Sequence, residues 1–264
     1  EYDKATQVAR EAAAKQPKNI GLQLMLAEQM TDSGQADEGV ALAKSLLSNK
    51  PSDLEIYRRL TTIYTRLRRW KDASDTLNHV NKLSTSKDDQ LYAYFLEGTL
   101  LDRQGKNNQA EAAFRKALAI DPDNSMTLNY LGYMLADHDQ KLDEALAMIQ
   151  KAVQLDPQNY AYLDSLGWAY YKLGNYNLAE TDLRKAVERN STDPTVHDHL
   201  GELYEKTGHL RLAAAQWEES LKEFTVTAPA DTDPGDMAKV QKMLDSARVR
   251  LAKEATNPQP PAKN

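Results

Sequence analysis

A small residue recurs through the chain at a nearly constant interval. Successive occurrences are 34, 37, 34, 35 and 34 residues apart, and they are Ala27, Thr61, Gly98, Gly132, Gly167 and Gly201. A period near 34 predicts helix-turn-helix repeats that stack side by side. Because each repeat contacts only its neighbours and the array presents one extended surface, this period favours a protein that holds other molecules.

The clearest repeat spans residues 160–194 and shows the pattern of two amphipathic helices. Leu163 and Gly167 lie one turn apart on the apolar face of a first helix. Gly174 then ends that helix, because glycine readily adopts the left-handed conformation that follows a helix end. A second helix carries Leu178, Ala179, Leu183, Ala186 and Val187. Pro194 is favoured in the first turn of the next helix.

The same pattern divides the rest of the chain. Repeats are predicted near residues 20–53, 54–88, 91–124, 125–159, 160–193 and 194–224. Residues 1–18 read as the second helix of a truncated repeat, so we expect the native protein to continue upstream. After the last repeat we predict a linker at 225–233, a capping helix at 234–254 and a disordered tail at 255–264. The expected fold is all-α: a right-handed superhelical α-solenoid of about six repeats with an N-terminal half repeat and a C-terminal capping helix.

The recurring small residue has a packing explanation. Two helices joined by a tight turn approach closely only where the facing side chain is very small. Glycine inside a helix costs about 1 kcal/mol relative to alanine, so its repeated use implies a compensating gain from close contact. We therefore predict that Gly167 and its equivalents face the other helix of their own repeat.

Composition argues against several classes of function. The chain has 33 basic and 39 acidic residues and a net charge of −6, which disfavours nucleic acid as a partner. It has no cysteine, so thiolate nucleophiles and cysteine-based zinc sites are excluded. No apolar run approaches the length that spans a bilayer. One locally basic stretch consists of Arg58, Arg59, Arg66, Arg68, Arg69 and Lys71. We interpret it as a solvated face with ion pairs between residues four apart.

No arrangement of residues predicts catalysis or metal binding. The sequence lacks a glycine-rich phosphate loop, a nucleophile elbow and an HExxH helix. His197 and His199 are two residues apart on one helix and point to different faces, and His197 is expected to pack. Asp137, Asp139 and Asp143 crowd one turn without the glycine and terminal glutamate of a calcium-binding loop. We predict no enzyme activity, no cofactor and no metal.

These features resemble the tetratricopeptide repeat family: a small residue, an aromatic or leucine, a turn glycine, alanine, an aromatic, alanine and proline. The resemblance covers essentially residues 1–224. Residues 128–137, 142–145, 163–168 and 199–202 are similar to the C-terminal arrays of bacterial tetratricopeptide proteins, several of which are envelope lipoproteins acting as adaptors. The resemblance thus implies a bacterial origin and a periplasmic or envelope setting, with the cytoplasm as the alternative.

The resemblance also implies which residues contact a partner, because first helices line the concave groove in this family. The predicted contacts are Arg58, Arg66, Tyr92, Phe95, Arg103, Asn129, Tyr133, Asp164, Trp168, Tyr171 and Lys172. Further groove positions are Thr62, Thr99, Asp137, Asp198, Glu202 and Glu205. Trp168 and Tyr133 directly follow the packing glycine, and exposed aromatic rings beside arginine are typical of binding hot spots. The alternative is that these rings only cover a neighbouring helix.

The leading interpretation is a non-enzymatic scaffold or adaptor that binds a protein or peptide segment in the concave groove. The family's carboxylate clamp for chaperone tails is absent, since its slots hold residues such as Arg58 with Thr62 and Phe95 with Thr99. Helical and extended peptides both remain open. One alternative is a structural spacer, or a module that self-associates through the N-terminal half repeat; another is a regulatory domain of an enzyme-containing chain. Neither nucleic acid nor a membrane span is expected.

Overall fold

The structure, a computed structural model, describes residues 2–48, 52–228, 230, 232 and 234–256. Fourteen α-helices and no β-strand occur in these residues. The helices are α1 Tyr2–Lys15, α2 Ile20–Asp32, α3 Ala36–Leu47, α4 Leu54–Arg66, α5 Trp70–Leu83, α6 Lys87–Arg103, α7 Asn107–Ile120, α8 Ser125–Asp137, α9 Leu142–Leu155, α10 Tyr160–Lys172, α11 Tyr176–Arg189, α12 Pro194–Lys206, α13 Leu210–Phe224 and α14 Pro234–Thr256. The prediction of an all-α helical-repeat fold is confirmed.

The chain forms two compact units. The first unit contains α1 to α7 and the first turn of α8, and the second unit contains the rest of α8 and α9 to α14. In each unit the even-numbered helix of a repeat is followed by an odd-numbered helix that packs against it. We call α2, α4, α6, α8, α10 and α12 the first helices of their repeats, and the helices that follow them the second helices.

Side chains of the preceding residues fix where several first helices begin. Asn19, Asp53, Asn159 and Asp193 have extended or near-extended backbones, and their side-chain oxygens accept hydrogen bonds from N–H groups of the first turn. Ser86 forms a full capping box at the start of α6. These bonds satisfy donors that have no partner within the helix, which explains the sharp boundaries between repeats.

The recurring glycines lie where the two helices of a repeat touch. A Cβ atom added at any of four of them would lie within 2.5–2.6 Å of a side-chain atom of the second helix, and the facing pairs are Gly98 with Phe114, Gly132 with Ile149, Gly167 with Leu183 and Gly201 with Trp217. In the repeat of α2 and α3 the arrangement is inverted: Ala27 lies in the first helix, and Gly39 of α3 would place a Cβ 2.5 Å from the Ala27 carbonyl oxygen. Five of the six repeats therefore have a close contact at a glycine, and either helix can supply that glycine.

The turn between first and second helices requires a left-handed residue. Positive φ angles occur there at Gly34 (84°), Gly105 (71°), Gly174 (77°) and Gly208 (83°). The equivalent position is Arg68 (φ 56°) in the repeat of α4 and Asp139 (φ 53°) in the repeat of α8. A side chain in this conformation is strained, and Arg68 is the more costly case because aspartate tolerates it better than most residues.

The last helix packs against the second helix of the final repeat. Val240, Leu244 and Ala247 of α14 are buried in one cluster with Trp217 of α13. Ala255 and Thr256 were expected to belong to a disordered tail, but they are helical, and no helix-breaking residue intervenes before Pro258. The remainder of that predicted tail, 257–264, lies outside the described residues, as do Glu1, 49–51 and the linker positions Pro229, Asp231 and Asp233.

Candidate functional site

A cluster of aromatic and charged side chains joins the three first helices of the second unit. We call it the first-helix cluster and define it as Tyr133 and Asp137 of α8, Asp164 and Trp168 of α10, and His199 of α12. Its members are spaced close to one repeat apart, so equivalent faces of successive helices bring them together.

Trp168 is buried within this cluster. Its side chain is 4% exposed, and its ring stacks on His199 with centroids 4.1 Å apart and on Tyr171 at 4.8 Å. The indole Nε1 donates a 3.1 Å hydrogen bond to Asp137 Oδ1. The expectation of an exposed Trp168 ring is therefore wrong. A ring of this size reaches across to the neighbouring first helices, where both its apolar surface and its N–H find partners.

Asp164 and His199 form a buried charged pair. His199 Nδ1 lies 3.0 Å from both Asp164 carboxylate oxygens, and both residues are buried. Burial alone would lower the His199 pKa, but the carboxylates of Asp164, Asp198 and Glu202 outweigh it and raise the pKa to about 8. The imidazole is therefore protonated at neutral pH and donates to Asp164. Asp164 is predicted to contact a partner, but its carboxylate instead accepts a hydrogen bond from His199 of the next repeat.

His199 is a central residue that the sequence interpretation missed. The sequence analysis treats His199 only as a possible metal ligand beside His197, a role it disfavours because the two residues point to different faces. His197 points elsewhere, towards Gln216 Oε1 at 2.8 Å and the Ser191 carbonyl at 3.0 Å, and it packs as expected. The sequence does carry a signal for the pair of Asp164 and His199, because these residues are 35 positions apart, which is the length of one repeat.

Two polar groups on α8, in Asn129 and in Tyr133 of the cluster, have no hydrogen-bond partner among the described residues. Asn129 is 7% exposed, and its Oδ1 is buried with no hydrogen-bond partner among the described residues. Tyr133, one turn later on the same face, is half-buried, and none of the described residues hydrogen-bonds to its hydroxyl. Burial and the carboxylates of Asp137 and Asp164 hold the pKa of Tyr133 well above its usual value, so the phenol stays protonated and can donate.

Lys172 and Tyr171 border the cluster at the end of α10. Lys172 Nζ donates to the Asp137 carbonyl oxygen and to Asp139 Oδ2, both at 3.0 Å, and lies 5.3 Å from the centre of the Trp168 ring. Tyr171 is half-buried, and burial with the nearby Glu202 carboxylate raises its pKa to about 12. Lys172 is thus engaged with α8, whereas Tyr171 keeps part of its ring accessible.

The acidic positions predicted for the last repeat face α14. Lys239 Nζ lies 2.6 Å from Glu202 Oε1 and 3.4 Å from Asp198 Oδ2, and Arg250 lies 2.5 Å from Glu205 Oε1. Asp198 and Glu202 also lower the free energy of the protonated His199 next to them. These carboxylates therefore hold basic side chains of the same chain.

Two of the three arginines predicted as contacts in the first unit form ion pairs with neighbouring repeats. Arg58 pairs with Asp89 at 2.6 Å and lies 5.0 Å from the centre of the half-buried Tyr92 ring, and Arg66 pairs with Asp32 at 2.6 Å. Partners 31 and 34 residues away are one repeat distant. The interpretation of this stretch as a solvated face with pairs four residues apart is wrong for these two, because equivalent positions of adjacent first helices lie side by side.

Phe95 and Arg103 differ sharply in accessibility. Phe95 is buried, with its ring centroid 5.9 Å from that of Phe114 in the second helix of the same repeat. The expectation that Phe95 faces a partner is wrong, since a large apolar ring gains more free energy by packing on α7. Arg103 is exposed, with no ion pair or hydrogen bond to any described residue.

Two further properties of the described residues concern metal binding and membrane insertion. No group of three or more histidine, cysteine, aspartate or glutamate side chains there is arranged to hold a metal ion. Within the same residues, no helix combines the length and the apolar character needed to cross a membrane.

Comparison with known proteins agrees with the repeat architecture. A family model described as "Psidin, N-terminal TPR repeats region" matches residues 57–191, just over half of the chain, and one described as "Tetratricopeptide repeat" matches residues 165–231. Human protein O-mannosyl-transferase TMTC1 is 30% identical over 126 residues, which is 47% of this chain and only 14% of that protein.

Solved structures show the same fold at low identity. Yeast Tom70 superposes with a TM-score of 0.63 at 15% identity, covering 96% of this chain and 60% of Tom70. A tetratricopeptide repeat protein from Parabacteroides merdae superposes with a TM-score of 0.63 at 18% identity and covers 92% of both chains. Tetratricopeptide repeats generally mediate protein–protein interaction. The chain belongs to the tetratricopeptide repeat family.

Proposed function

We propose that this chain is a non-enzymatic scaffold or adaptor that binds a protein or peptide segment on the face formed by its first helices. The observation that carries the proposal is Tyr133 of the first-helix cluster, a half-buried ring whose hydroxyl makes no hydrogen bond to any described residue. Preorganised polar groups next to aromatic rings are typical of binding surfaces. The resemblance to bacterial arrays makes a bacterial multi-protein assembly the proposed setting.

The proposed contact residues now fall into two groups. Tyr133, Tyr171, Tyr92 and Arg103 keep exposed surface and are proposed to touch the partner. The buried or ion-paired residues are proposed to position them, and these are Asn129, Phe95, Asp164, Trp168, Lys172, Arg58 and Arg66. A Trp168→Ala variant would open the stack on His199, so it would test packing rather than binding.

Capture from an extract of the source organism tests this proposal. Affinity-tagged wild type, Arg103→Glu, Tyr133→Phe and Arg211→Glu are compared by quantitative mass spectrometry. Arg103 and Arg211 are both exposed and make no ion pair with any described residue, but Arg211 lies on a second helix. Loss of captured proteins with Arg103→Glu and Tyr133→Phe, but not with Arg211→Glu, is the expected result. Identical captured sets for all four proteins would reject the first-helix face as the binding surface.

A second candidate function, self-association, is favoured by exposed apolar residues near the N-terminal end. Val8 of α1 is 66% exposed and Met25 of α2 is 50% exposed. Light scattering at several protein concentrations would detect dimers, and Val8→Lys with Met25→Lys should abolish them. A monomer at every concentration would reject this candidate.

A further inference from the structure

We infer that two copies of this chain associate through α1, and that the two α1 helices pack antiparallel with Val8 of one copy next to Val8 of the other. The inference goes beyond the scaffold function. It rests on self-association, the second candidate function, and names the surface and the geometry for it. Two features of the first unit lead to it: a bare face beside α1, and the charges along the edge of that face.

One side of α1 is packed and another side is bare. Ala9 and Ala13 are buried in a cluster with residues of α2. On a different side of the helix Ala5 is exposed, and Val8 is 66% exposed. Burial of this side against another apolar surface would therefore be favourable.

The second helices bury the positions that are bare in α1. The fourth residue of the helix is Ala5 in α1, and it is buried in all six second helices, where it is Gly39, Ala73, Ala110, Ala145, Ala179 or Ala213. The seventh residue is Val8 in α1, and it is buried or partly buried in all six second helices, where it is Leu42, Thr76, Ala113, Met148, Asp182 or Gln216.

In the second helices these two positions contact the first helix of the same repeat. A Cβ atom on Gly39 would lie 2.5 Å from the Ala27 carbonyl oxygen, and the Thr76 hydroxyl accepts a 3.0 Å hydrogen bond from the Thr61 hydroxyl. The bare side of α1 therefore corresponds to a surface on which another helix packs.

Met25 of α2 borders the same surface. It is 50% exposed and lies two positions before the recurring small residue of α2. Residues at this position of other repeats contact the preceding first helix, since Arg59 pairs with Glu28 of α2 and His199 pairs with Asp164 of α10. Met25 is therefore placed to contact a helix that packs on the bare side of α1.

We call Ala5, Val8 and Ala12 of α1, together with Met25 of α2, the α1 face. The two helices of a repeat are joined by a short turn and run antiparallel, so a helix that docks on this face runs antiparallel to α1. The α1 helix of a second copy meets this requirement, because a two-fold axis perpendicular to two equivalent helices makes them antiparallel. The small alanine side chains allow the two helix axes to approach closely.

The charges at the edge of the α1 face are complementary to those of a second copy. Lys4 and Glu11 are exposed, and they lie two turns apart on the same edge because they are seven residues apart. Neither forms an ion pair with a described residue. In an antiparallel pair centred near Val8, Lys4 of each copy lies opposite Glu11 of the other. A parallel pair would place like charges together, so the charges favour the antiparallel arrangement.

Charge reversal with rescue tests this pairing. The interface involves one 14-residue helix and Met25 from each copy, so we expect a weak dimer with a micromolar dissociation constant. Sedimentation velocity at increasing protein concentration measures this constant for wild type, Lys4→Glu, Glu11→Lys and the double variant. Each single reversal places like charges opposite each other twice and should raise the dissociation constant about tenfold. The double variant restores opposite charges and should return to within about threefold of wild type.

Arg10→Glu is the matched control for these variants. Arg10 is exposed on the same helix, and it lies nearly opposite Val8 because the two residues are two positions apart. The substitution makes the same change of charge as Lys4→Glu, and it should leave the dissociation constant unchanged. Circular dichroism checks that every variant keeps the wild-type helix content.

Cross-linking at Val8 tests the geometry. The chain contains no cysteine, so Val8→Cys introduces one thiol per copy. Two such thiols would lie near the two-fold axis, where the spacing of the two helices allows a disulfide to form when diamide takes up the two hydrogens. Val8→Cys should form the linked dimer about tenfold faster than Arg10→Cys, whose thiols point away from the axis.

Each outcome either supports the inference or overturns it. Dissociation constants that do not change in Lys4→Glu and Glu11→Lys, or a double variant as weak as the single variants, would overturn the inference and leave self-association in place. Equal rates of cross-linking at Val8 and Arg10 would overturn it in the same way. Monomers at every concentration would overturn both the inference and self-association. The scaffold function is judged separately, by the capture experiment with Arg103→Glu.

Discussion

Gly201 of α12 lies directly against the indole of Trp217 in α13. A Cβ atom on Gly201 would be 2.6 Å from Trp217 Nε1, and the same nitrogen donates a 3.1 Å hydrogen bond to Asp198 Oδ1. Trp217 is fully buried in a hydrophobic cluster, so a shift of its ring would disturb the side chains packed around it. One glycine thus permits both the close approach of two helices and a buried hydrogen bond on the first-helix side.

Gly201→Ala should destabilise the second unit although alanine is the better helix former. Alanine gains about 1 kcal/mol in helix propensity, but overpacking against a fixed ring costs about 1–3 kcal/mol and displaces the bond to Asp198. We expect a net loss of about 1–2 kcal/mol in the free energy of unfolding, measured by urea denaturation. Gly167→Leu, facing Leu183, should cost about 1–3 kcal/mol or more by the same mechanism.

Gly21 provides the matched control for this prediction. It lies in α2, and an added Cβ would meet only Asn19 Oδ1, at 3.4 Å. Gly21→Ala should therefore be neutral or stabilising by up to about 1 kcal/mol. Equal effects of the two alanine substitutions would show that helix propensity, rather than contact with Trp217, decides the outcome.

Arg68→Gly should stabilise the first unit. Arg68 occupies the turn position with φ 56° that four repeats fill with glycine. Relief of left-handed strain contributes about 1–2 kcal/mol, and the greater freedom of unfolded glycine offsets part of it. A net gain of about 0.5–1 kcal/mol is expected by chemical denaturation. The opposite kind of change, Gly174→Ala at φ 77°, should lower the free energy of unfolding by a similar amount. If Arg68→Gly instead lowers the free energy of unfolding, then the contacts of the arginine side chain outweigh the strain.

The repeat architecture was predictable because its cause is local and recurs. The spacing of Gly98, Gly132, Gly167 and Gly201 reports a contact made inside each repeat, and the structure has that contact at each of them. The inversion at Gly39 is not predicted by the pattern, because the recurring glycine of the other repeats lies in the first helix. Periodicity identifies a shared position, but it does not say which of two facing residues is the smaller.

The candidate site was predictable only in part because it depends on contacts between repeats. Trp168 and Tyr133 each directly follow a packing glycine, and this position predicts that both lie on the face formed by the first helices. Both do lie in the first-helix cluster. Their exposure depends on the neighbour one repeat away: His199 covers Trp168, whereas the Tyr133 hydroxyl makes no hydrogen bond to any described residue. A pattern read within one repeat carries no information on that neighbour. Comparison of residues 31–35 apart would have paired Asp164 with His199 and Asp137 with Trp168.

The ion pair between Arg66 and Asp32 should couple adjacent repeats measurably. Their side chains are 18% and 14% exposed, and the shortest N–O distance is 2.6 Å. A double-mutant cycle with Arg66→Met and Asp32→Asn should give a coupling of about 1 kcal/mol, since partial burial reduces screening by solvent. The comparison pair is Arg248 with Glu218, which is more than half exposed on both sides and should couple by less than about 0.5 kcal/mol. Equal couplings would mean that burial does not govern these contacts.

The buried pair of His199 and Asp164 should make the stability of the second unit depend on pH. The pKa of His199 is raised from its ordinary value of 6.5 to about 8 in the folded chain, because the carboxylates of Asp164, Asp198 and Glu202 outweigh burial. A pKa that is raised on folding means that the folded state binds the proton more tightly. The resulting stabilisation, about 2 kcal/mol, is fully present below about pH 6.5 and is lost as pH rises through about 8.

The His199→Gln variant isolates this contribution, because glutamine can donate to Asp164 but does not titrate in this range. The difference in unfolding free energy between wild type and His199→Gln should favour wild type less at pH 8.5–9 than at pH 6, by about 2 kcal/mol. Asp164→Asn should lower the His199 pKa, observed through the imidazole resonances by NMR, since the closest carboxylate is removed. If the difference in unfolding free energy between wild type and His199→Gln stays constant with pH, then His199 has the same pKa in the folded and the unfolded chain. In that case the protonated imidazole would not stabilise the contact between α10 and α12.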